Sequence, residues 1–302
     1  MPIIFDITHS THIPHSTHHR YHGYHQRVRL REHRLMFRPR GSHDLRVLAT
    51  DMKVTPEPVD IRLIQDAYSN AVALLQAQSP AMQLKVEGSF TVERAGTRAL
   101  DLPLHVEALE YPFAYADEDL IALQYYWQPY YDDPTDELNQ WARQFIRSDG
   151  PTGTRELLVE MNQSIRDSML YVARFGEGVQ TPYETIWLQS GTCRDFATLM
   201  IEAVRRLGYA ARFVSGYLYT PWLDDGAGGY IGAGATHAWL QVYLPGAGWI
   251  PFDPTNNLIG GTDLIRVGVA RHASLASPVS GSWDGFPGDF AEMFVDVQVR
   301  RR

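Results

Sequence analysis

Residues 190–219 read SGTCRDFATLMIEAVRRLGYAARFVSGYLY and include the single cysteine of this 302-residue chain. The stretch has the pattern of a helix that begins at the cysteine. Thr192 is a suitable N-cap, Asp195 occupies the third helical position, and Gly208 follows the last apolar residue as a helix stop. Between them, apolar residues recur at helical spacing, so one face of the helix should be buried.

Cys193 therefore lies in the first turn of the predicted helix. Free backbone N–H groups and the helix dipole favour a thiolate over a thiol at that place. The pattern indicates a nucleophile. A lone cysteine is also commonly a small buried hydrophobic residue, and its position alone does not separate the two interpretations.

Two later segments supply the partners that a nucleophile needs. A glycine-rich loop enters an alternating strand that begins near His237, and a second short strand ends at Asp253. Residues 245–248, Pro-Gly-Ala-Gly, have the composition of a hairpin turn between these strands. With a three-residue loop, Leu244 pairs with Gly248, and Asp253 lies diagonal to His237 on the same face of the sheet. A two-residue loop would place Asp253 on the other face.

Each of these residues has a simpler interpretation when taken alone. His237 could be a hydrogen-bonded strand histidine, and Asp253 a turn residue before proline. Together with Cys193, they provide the parts of a triad of nucleophile, base and orienting acid.

Several motifs around these residues resemble the bacterial transglutaminase-like superfamily, most strongly over about residues 155–256. They are residues 191–197 (GTCRDFA), 207–217 (LGYAARFVSGY), 236–239 (THAW) and 248–255 (GWIPFDPT). The resemblance implies an α+β fold with a papain-like catalytic domain, in which a nucleophile helix packs on an antiparallel sheet. A β-sandwich-like domain would precede it. By the same resemblance, Cys193 is the nucleophile, His237 the base and Asp253 the orienting carboxylate.

The implied activity is acyl chemistry on peptide or side-chain amides through an acyl-enzyme at Cys193. Hydrolysis, as in a cysteine protease or amidase, is expected first, with transfer of the acyl group to an amine as the alternative. A catalytically silent protein-binding module is the non-enzymatic alternative. The expected partner is a protein or peptide substrate, and no cofactor or metal is expected.

The chemistry also needs an oxyanion site and walls that exclude water. The backbone N–H of Cys193 is the expected first donor to the oxyanion. Gln189 and Trp187 are candidates for the second donor. Trp187, Trp239, Trp222 and the glycine-rich loop at 226–234 are candidates for the walls.

Composition excludes several other classes of protein. A formal net charge of −8 argues against nucleic acid as a partner, and a single cysteine excludes an intrachain disulfide or a CxxC-type zinc site. No stretch of the sequence has the length and apolar character of a membrane span or a secretory leader. A cytoplasmic location without membrane attachment is therefore expected.

The chain is predicted to divide into three parts. Residues 1–25 contain histidines at 9, 12, 15, 18, 19, 22 and 25 and are expected to be a disordered leader, with metal binding as the alternative. Residues 26–110 alternate apolar and polar positions in short runs, as in a β-sandwich-like domain. Residues 111–302 should form the catalytic domain, with C-terminal strands completing the sheet that carries His237 and Asp253. The acidic residues near 132–137 are expected to begin a helix rather than to bind calcium.

Overall fold

The computed structural model describes residues 2–14, 27–57, 59–96, 99–174, 178–221, 231, 234–285 and 293–302. The first strands are β1 (Ile3–Pro14), β2 (Arg29–Leu35), β3 (Leu45–Thr55), β4 (Val59–Gln65), β5 (Ala71–Ala77) and β6 (Gln83–Arg94). Next come β7 (Glu110–Tyr111), α1 (Asp117–Trp127), α2 (Glu137–Arg143), β8 (Thr152–Gly153), α3 (Thr154–Ser168), β9 (Leu170–Tyr171), α4 (Pro182–Leu188), β10 (Ser190–Gly191) and α5 (Cys193–Arg206). The last are β11 (Ala211–Leu218), β12 (His237–Leu244), β13 (Gly248–Asp253), β14 (Leu258–Ile259), β15 (Leu264–Ala270), β16 (Val279–Asp284) and β17 (Phe294–Arg301).

A β-sandwich forms the N-terminal part of the molecule. Two antiparallel four-stranded sheets, ordered β17-β1-β6-β3 and β16-β2-β5-β4, enclose one apolar core. The alternation predicted for this region is confirmed, since every second residue of β6 is buried. On β2, Arg29 and Arg31 are exposed while Leu30 between them is buried, so these arginines lie on a solvated strand face.

The structure corrects the prediction of a disordered leader over residues 3–14. Residues Ile3–Pro14 form β1, which pairs with β6 on one side and β17 on the other. Every second residue of β1 faces inward. Two of these buried residues, His9 and Thr11, are polar, so the sequence does not show the alternation of apolar and polar residues that is typical of a strand. The other leader histidines, at positions 15, 18, 19, 22 and 25, lie outside the described residues.

The prediction that the C-terminal strands complete the sheet of His237 is wrong in part. Strands β14 and β15 join that sheet, whereas β16 pairs with β2 and β17 pairs with β1. Val297 of β17 is buried in the core of the sandwich. The exposed edge of a sheet can pair with any strand of suitable register. Which edge a strand joins therefore depends on the core that buries its side chains, and that core is formed by residues distant in the sequence.

The sheet of the catalytic region has five antiparallel strands in the order β14-β13-β12-β11-β15. Helix α5 packs on this sheet against β12 and β11. Leu244 pairs with Gly248, so the hairpin loop has three residues, which is the length that the contact of His237 with Asp253 requires. Gly246 in that loop has φ +88° and lies against the backbone of Pro103 and His105, which leaves no room for a Cβ.

A buried ionic contact joins the sandwich to the catalytic sheet. Asp44 accepts hydrogen bonds from Arg94 of β6 and Arg266 of β15, and all three side chains are almost fully buried. Burial acts to raise the pKa of Asp44, but Arg266 and Arg94 hold it well below its usual range. Tyr217 and Ile265 of the catalytic sheet extend the apolar core of the sandwich across the same boundary.

The helices agree with the acidic pattern in the sequence. Asp133 accepts hydrogen bonds from the backbone N–H groups of Leu138 and Asn139 at 3.4 and 2.9 Å, at the start of α2. The longest helix in the described part of the chain, α3, has 15 residues, and none there is long and apolar enough to cross a membrane.

Candidate active site

The nucleophile candidate is held at the start of α5 by a network around one carboxylate. Cys193 is the first helical residue and is 7% exposed, and Thr192 before it is the extended N-cap. The fully buried Asp195 accepts hydrogen bonds from the backbone N–H and the hydroxyl of Thr192, both at 2.8 Å. It also accepts from Arg174 and from the backbone N–H of Gln180, both at 2.7 Å. These four bonds fix the backbone on both sides of the thiol.

Strands β9 and β10 form a short parallel pair directly before Cys193, in which Tyr171 lies opposite Gly191. Burial raises the pKa of Tyr171 to about 12, and the charge of Cys193 adds to the increase. The Tyr171 ring also meets Phe196 of α5 edge-on, with 6.5 Å between ring centroids. Tyr171 therefore lies near the start of α5, and sequence reasoning missed it because it is 22 positions from Cys193.

The base and the acid meet across β12 and β13. Nε2 of His237 lies 2.8 Å from Oδ2 of Asp253, and both side chains are fully buried. Gly216 of β11 pairs with His237, and a Cβ there would lie 2.6 Å from the Trp239 ring and 2.2 Å from a carbonyl oxygen. The missing side chain leaves room for Trp239, whose ring stacks beside His237 with 6.0 Å between centroids. The predicted diagonal contact between His237 and Asp253 is confirmed, whereas the role of Trp239 as a wall of the site stays a prediction.

The electrostatics of His237 are dominated by its two neighbours. Burial alone would lower its pKa, but the charge and hydrogen bond of Asp253, then those of Cys193, raise it to about 10. Because Nε2 is engaged by Asp253, Nδ1 is the nitrogen left for the thiol. Nδ1 is buried and makes no hydrogen bond of regular geometry to the described residues. Cys193 contributes to the raised pKa of His237 through a side-chain hydrogen bond and through its charge.

Asp253 is oriented by the turn that follows it. Its Oδ1 accepts the backbone N–H of Thr255 at 3.0 Å, and its Oδ2 accepts Nδ2 of Asn256 at 3.0 Å as well as Nε2 of His237. Asn256 is a second site residue that sequence reasoning missed. The available signal was the sequence Asp-Pro-Thr-Asn, since such turns return the residue three positions on toward the first side chain.

The remaining predicted site residues are near the nucleophile in sequence but exposed. Trp187, at the end of α4, is 82% exposed. Gln189 caps α4 in the left-handed conformation, with φ +48°, and its carbonyl accepts the N–H of Leu170 at 2.8 Å. Their roles as oxyanion donor or wall stay predictions. Trp222 and most of the loop at 226–234 lie outside the described residues.

A metal site is not evident in the described ranges. No group of three or more His, Cys, Asp or Glu side chains there has a geometry that could hold a metal ion.

Comparison with known proteins agrees with this architecture. Residues 139–254 match the family model of the transglutaminase-like superfamily, and residues 11–93 match that of the bacterial transglutaminase-like N-terminal region. An uncharacterized protein of Mycobacterium leprae is 34% identical over 107 residues, which cover 35% of this chain and 37% of the relative. An uncharacterized protein of Mycobacterium tuberculosis is 27% identical over 259 residues, covering 80% of this chain and 78% of the relative.

A solved structure shows that the whole fold recurs. The crystal structure described as a putative cysteine protease from Cytophaga hutchinsonii superimposes with a TM-score of 0.70, over 99% of this chain and 91% of that one. The two sequences are 19% identical, so the likeness concerns the fold alone.

Proposed function

We propose that this protein is a thiol hydrolase that cleaves peptide or side-chain amides. The proposal starts from the transglutaminase-like core and the bacterial transglutaminase-like N-terminal region that precedes it in the chain. Cys193 is its nucleophile, His237 its base and Asp253 its orienting acid. The observation that carries the proposal is the fully buried His237–Asp253 pair at 2.8 Å, with Cys193 acting on the same imidazole.

Cys193 and His237 rest as a thiolate and an imidazolium, because the pKa of His237 is raised to about 10. Asp253 accepts the Nε2–H of the imidazolium and stabilises its charge, and Nδ1 carries the proton that the thiol has given up. The thiolate attacks the carbonyl carbon of the amide, forming a C–S bond and a tetrahedral oxyanion. The N–H of Cys193 has no acceptor within the helix, because it belongs to the first turn of α5, and it can donate to that oxyanion.

Collapse of the tetrahedral species completes the first half-reaction. The C–N bond breaks, Nδ1–H of His237 protonates the leaving amine, and an acyl-thioester remains on Cys193. Water then gives a proton to Nδ1 of His237 as its oxygen attacks the thioester carbonyl. The C–S bond breaks, the carboxylic acid leaves, and Cys193 returns to the thiolate beside the protonated imidazole. Transfer to an amine would follow the same steps with the amine in place of water.

The activity test uses a library of amide peptides that includes glutamine side chains. Wild type should release amine or ammonia, with a transient mass increase on Cys193 that equals the acyl group. Cys193→Ala and His237→Ala should lose turnover by two orders of magnitude or more, on the order of what general base catalysis contributes. When an alkylamine is added, the main product should still be the carboxylic acid formed by hydrolysis. If the main product is the new amide of the alkylamine, the enzyme transfers acyl groups instead. Absence of any acyl-enzyme would contradict the proposal and favour a binding module.

Proteins and peptides carry the amides that the proposed reaction cleaves, so a protein or peptide is proposed as the substrate. The cytoplasmic location and the independence from cofactors remain predictions from the sequence.

A further inference from the structure

The partly buried side chain of Asn256 makes three hydrogen bonds at the site. Its Nδ2 donates to Oδ2 of Asp253 at 3.0 Å and to the backbone carbonyl of Ile231 at 3.2 Å. Its Oδ1 accepts the N–H of Ile231 at 2.8 Å. The amide therefore uses both of its donors and its acceptor, and its orientation is fixed, because a flipped amide would place its oxygen against the carboxylate.

We propose that Asn256 is a positioning residue, which fixes the Asp253 carboxylate against His237 and ties the chain at Ile231 to the same carboxylate. Oδ2 of Asp253 accepts from both Nε2 of His237 and Nδ2 of Asn256, while Oδ1 accepts from Thr255. Three donors therefore engage the two oxygens of the carboxylate and fix its orientation. The imidazole that shares Oδ2 is thereby held in one orientation.

The shared oxygen also has an electronic consequence. A hydrogen bond from Asn256 stabilises the carboxylate and weakens its attraction for the proton on His237. Without that bond, the Asp253 carboxylate should attract the imidazolium proton more strongly, and the pKa of His237 should rise further. The charged and titratable groups that act on His237 are Asp253 of β13 and Cys193 of α5, and Asn256 is neutral. Substitution of Asn256 by a neutral residue therefore changes the hydrogen bonding without changing the charge.

Ile231 is the second partner of Asn256. Ile231 lies six residues before His237. The Asn256 amide accepts the backbone N–H of Ile231 and donates to its carbonyl oxygen, so both backbone polar groups of Ile231 are paired. The contact links Ile231 to the triad carboxylate.

The experiment measures the titration of His237 by NMR of ¹⁵N-histidine-labelled protein, with the resonance assigned from His237→Gln. Asn256→Ala removes both contacts. Asn256→Asp keeps an acceptor for the N–H of Ile231 but loses the donor to Asp253 and adds a negative charge. The midpoint should rise by about half a pH unit in Asn256→Ala and by about one unit or more in Asn256→Asp.

The matched control is Asn257→Gly. Residue 257 has φ +54°, which glycine adopts freely, and its side chain contacts Asn162 rather than the triad. It should leave the midpoint unchanged. Unchanged midpoints in both Asn256 variants, with melting temperatures near wild type, would overturn the proposal and leave Asn256 a structural residue. If one variant fails to fold, the other decides the question.

The catalytic consequence rests on the proposed function, but the NMR readout does not. In an active enzyme, the alkaline limb of the kcat profile should move up with the His237 midpoint, with KM little changed. A shifted midpoint in a protein that turns over no amide would retain the positioning role and reject the hydrolase. Turnover with unshifted midpoints would do the reverse.

Discussion

Replacement of Asp253 by Asn removes the charge that keeps His237 protonated while it conserves the shape of the side chain. The His237 pKa of about 10 exceeds the ordinary histidine value of 6.5 by more than three units, even though burial acts to lower it. At about 1.4 kcal/mol per unit, the surroundings favour the imidazolium by about 5 kcal/mol. Asp253 is the largest favourable contributor. Without its charge, desolvation should prevail, and the pKa of His237 should fall below 6.5.

The same shift predicts how stability depends on pH. The folded pKa of His237 lies above the unfolded value, so its contribution is complete below pH 6.5 and is lost as the pH rises through about 10. At pH 6, the free energy of unfolding of Asp253→Asn should therefore be lower than that of wild type by up to about 5 kcal/mol. This difference in stability should become smaller as the pH rises toward 10.

Two assays check this prediction: ¹⁵N-histidine NMR for the His237 midpoint, and urea unfolding at pH 6, 8 and 9.5. Asp149→Asn is the control, since Asp149 is an exposed carboxylate paired with Arg147. It should change neither quantity. A His237 midpoint above 8 in Asp253→Asn, or a stability gap independent of pH, would refute the reasoning.

Two further predictions concern the scaffold. Burial lowers the pKa of His9 to about 4, so the folded state should lose about 3 kcal/mol of stability as the pH falls from 6.5 to 4; His9→Gln should flatten that part of the stability curve in urea unfolding, and an identical acid slope in both proteins would contradict the assignment. Glu202 is 1% exposed and accepts from Arg205 at 2.7 Å and from two backbone N–H groups, so Glu202→Ala should cost about 3–5 kcal/mol, measured by the same method; a cost under 1 kcal/mol would show that the pair is dispensable.

Local patterns predicted most of the catalytic core. The start of α5 at Cys193 followed from a cap, a carboxylate three positions on and an apolar stripe, all within one helix. The register between β12 and β13 followed from one hairpin loop, and that register fixes the contact of His237 with Asp253. Such features depend on residues close in sequence, where propensity and geometry act directly.

The failures concern pairings between distant parts of the chain. Nothing within residues 294–301 specifies that β17 should pair with β1 rather than with β15, because both edges offer the same backbone groups. His9 looked like part of a polar leader because its burial depends on Tyr217, 208 residues away, to which it hydrogen-bonds at 2.9 Å. The contact of Asn256 with Ile231 could not be predicted, because the two residues lie 25 positions apart in the sequence.

The central claim is that Cys193 is activated by His237. Because the chain has one cysteine, the mass increase from iodoacetamide reports on Cys193 alone. The measurement is the rate of alkylation by intact-protein mass spectrometry from pH 4 to 10, on wild type and His237→Ala. The account predicts that wild type reacts at pH 6 about tenfold faster than the variant or more, with the two rates converging at alkaline pH as the free thiol ionises. Equal rates across the whole range would contradict the triad and, with it, the proposed enzyme.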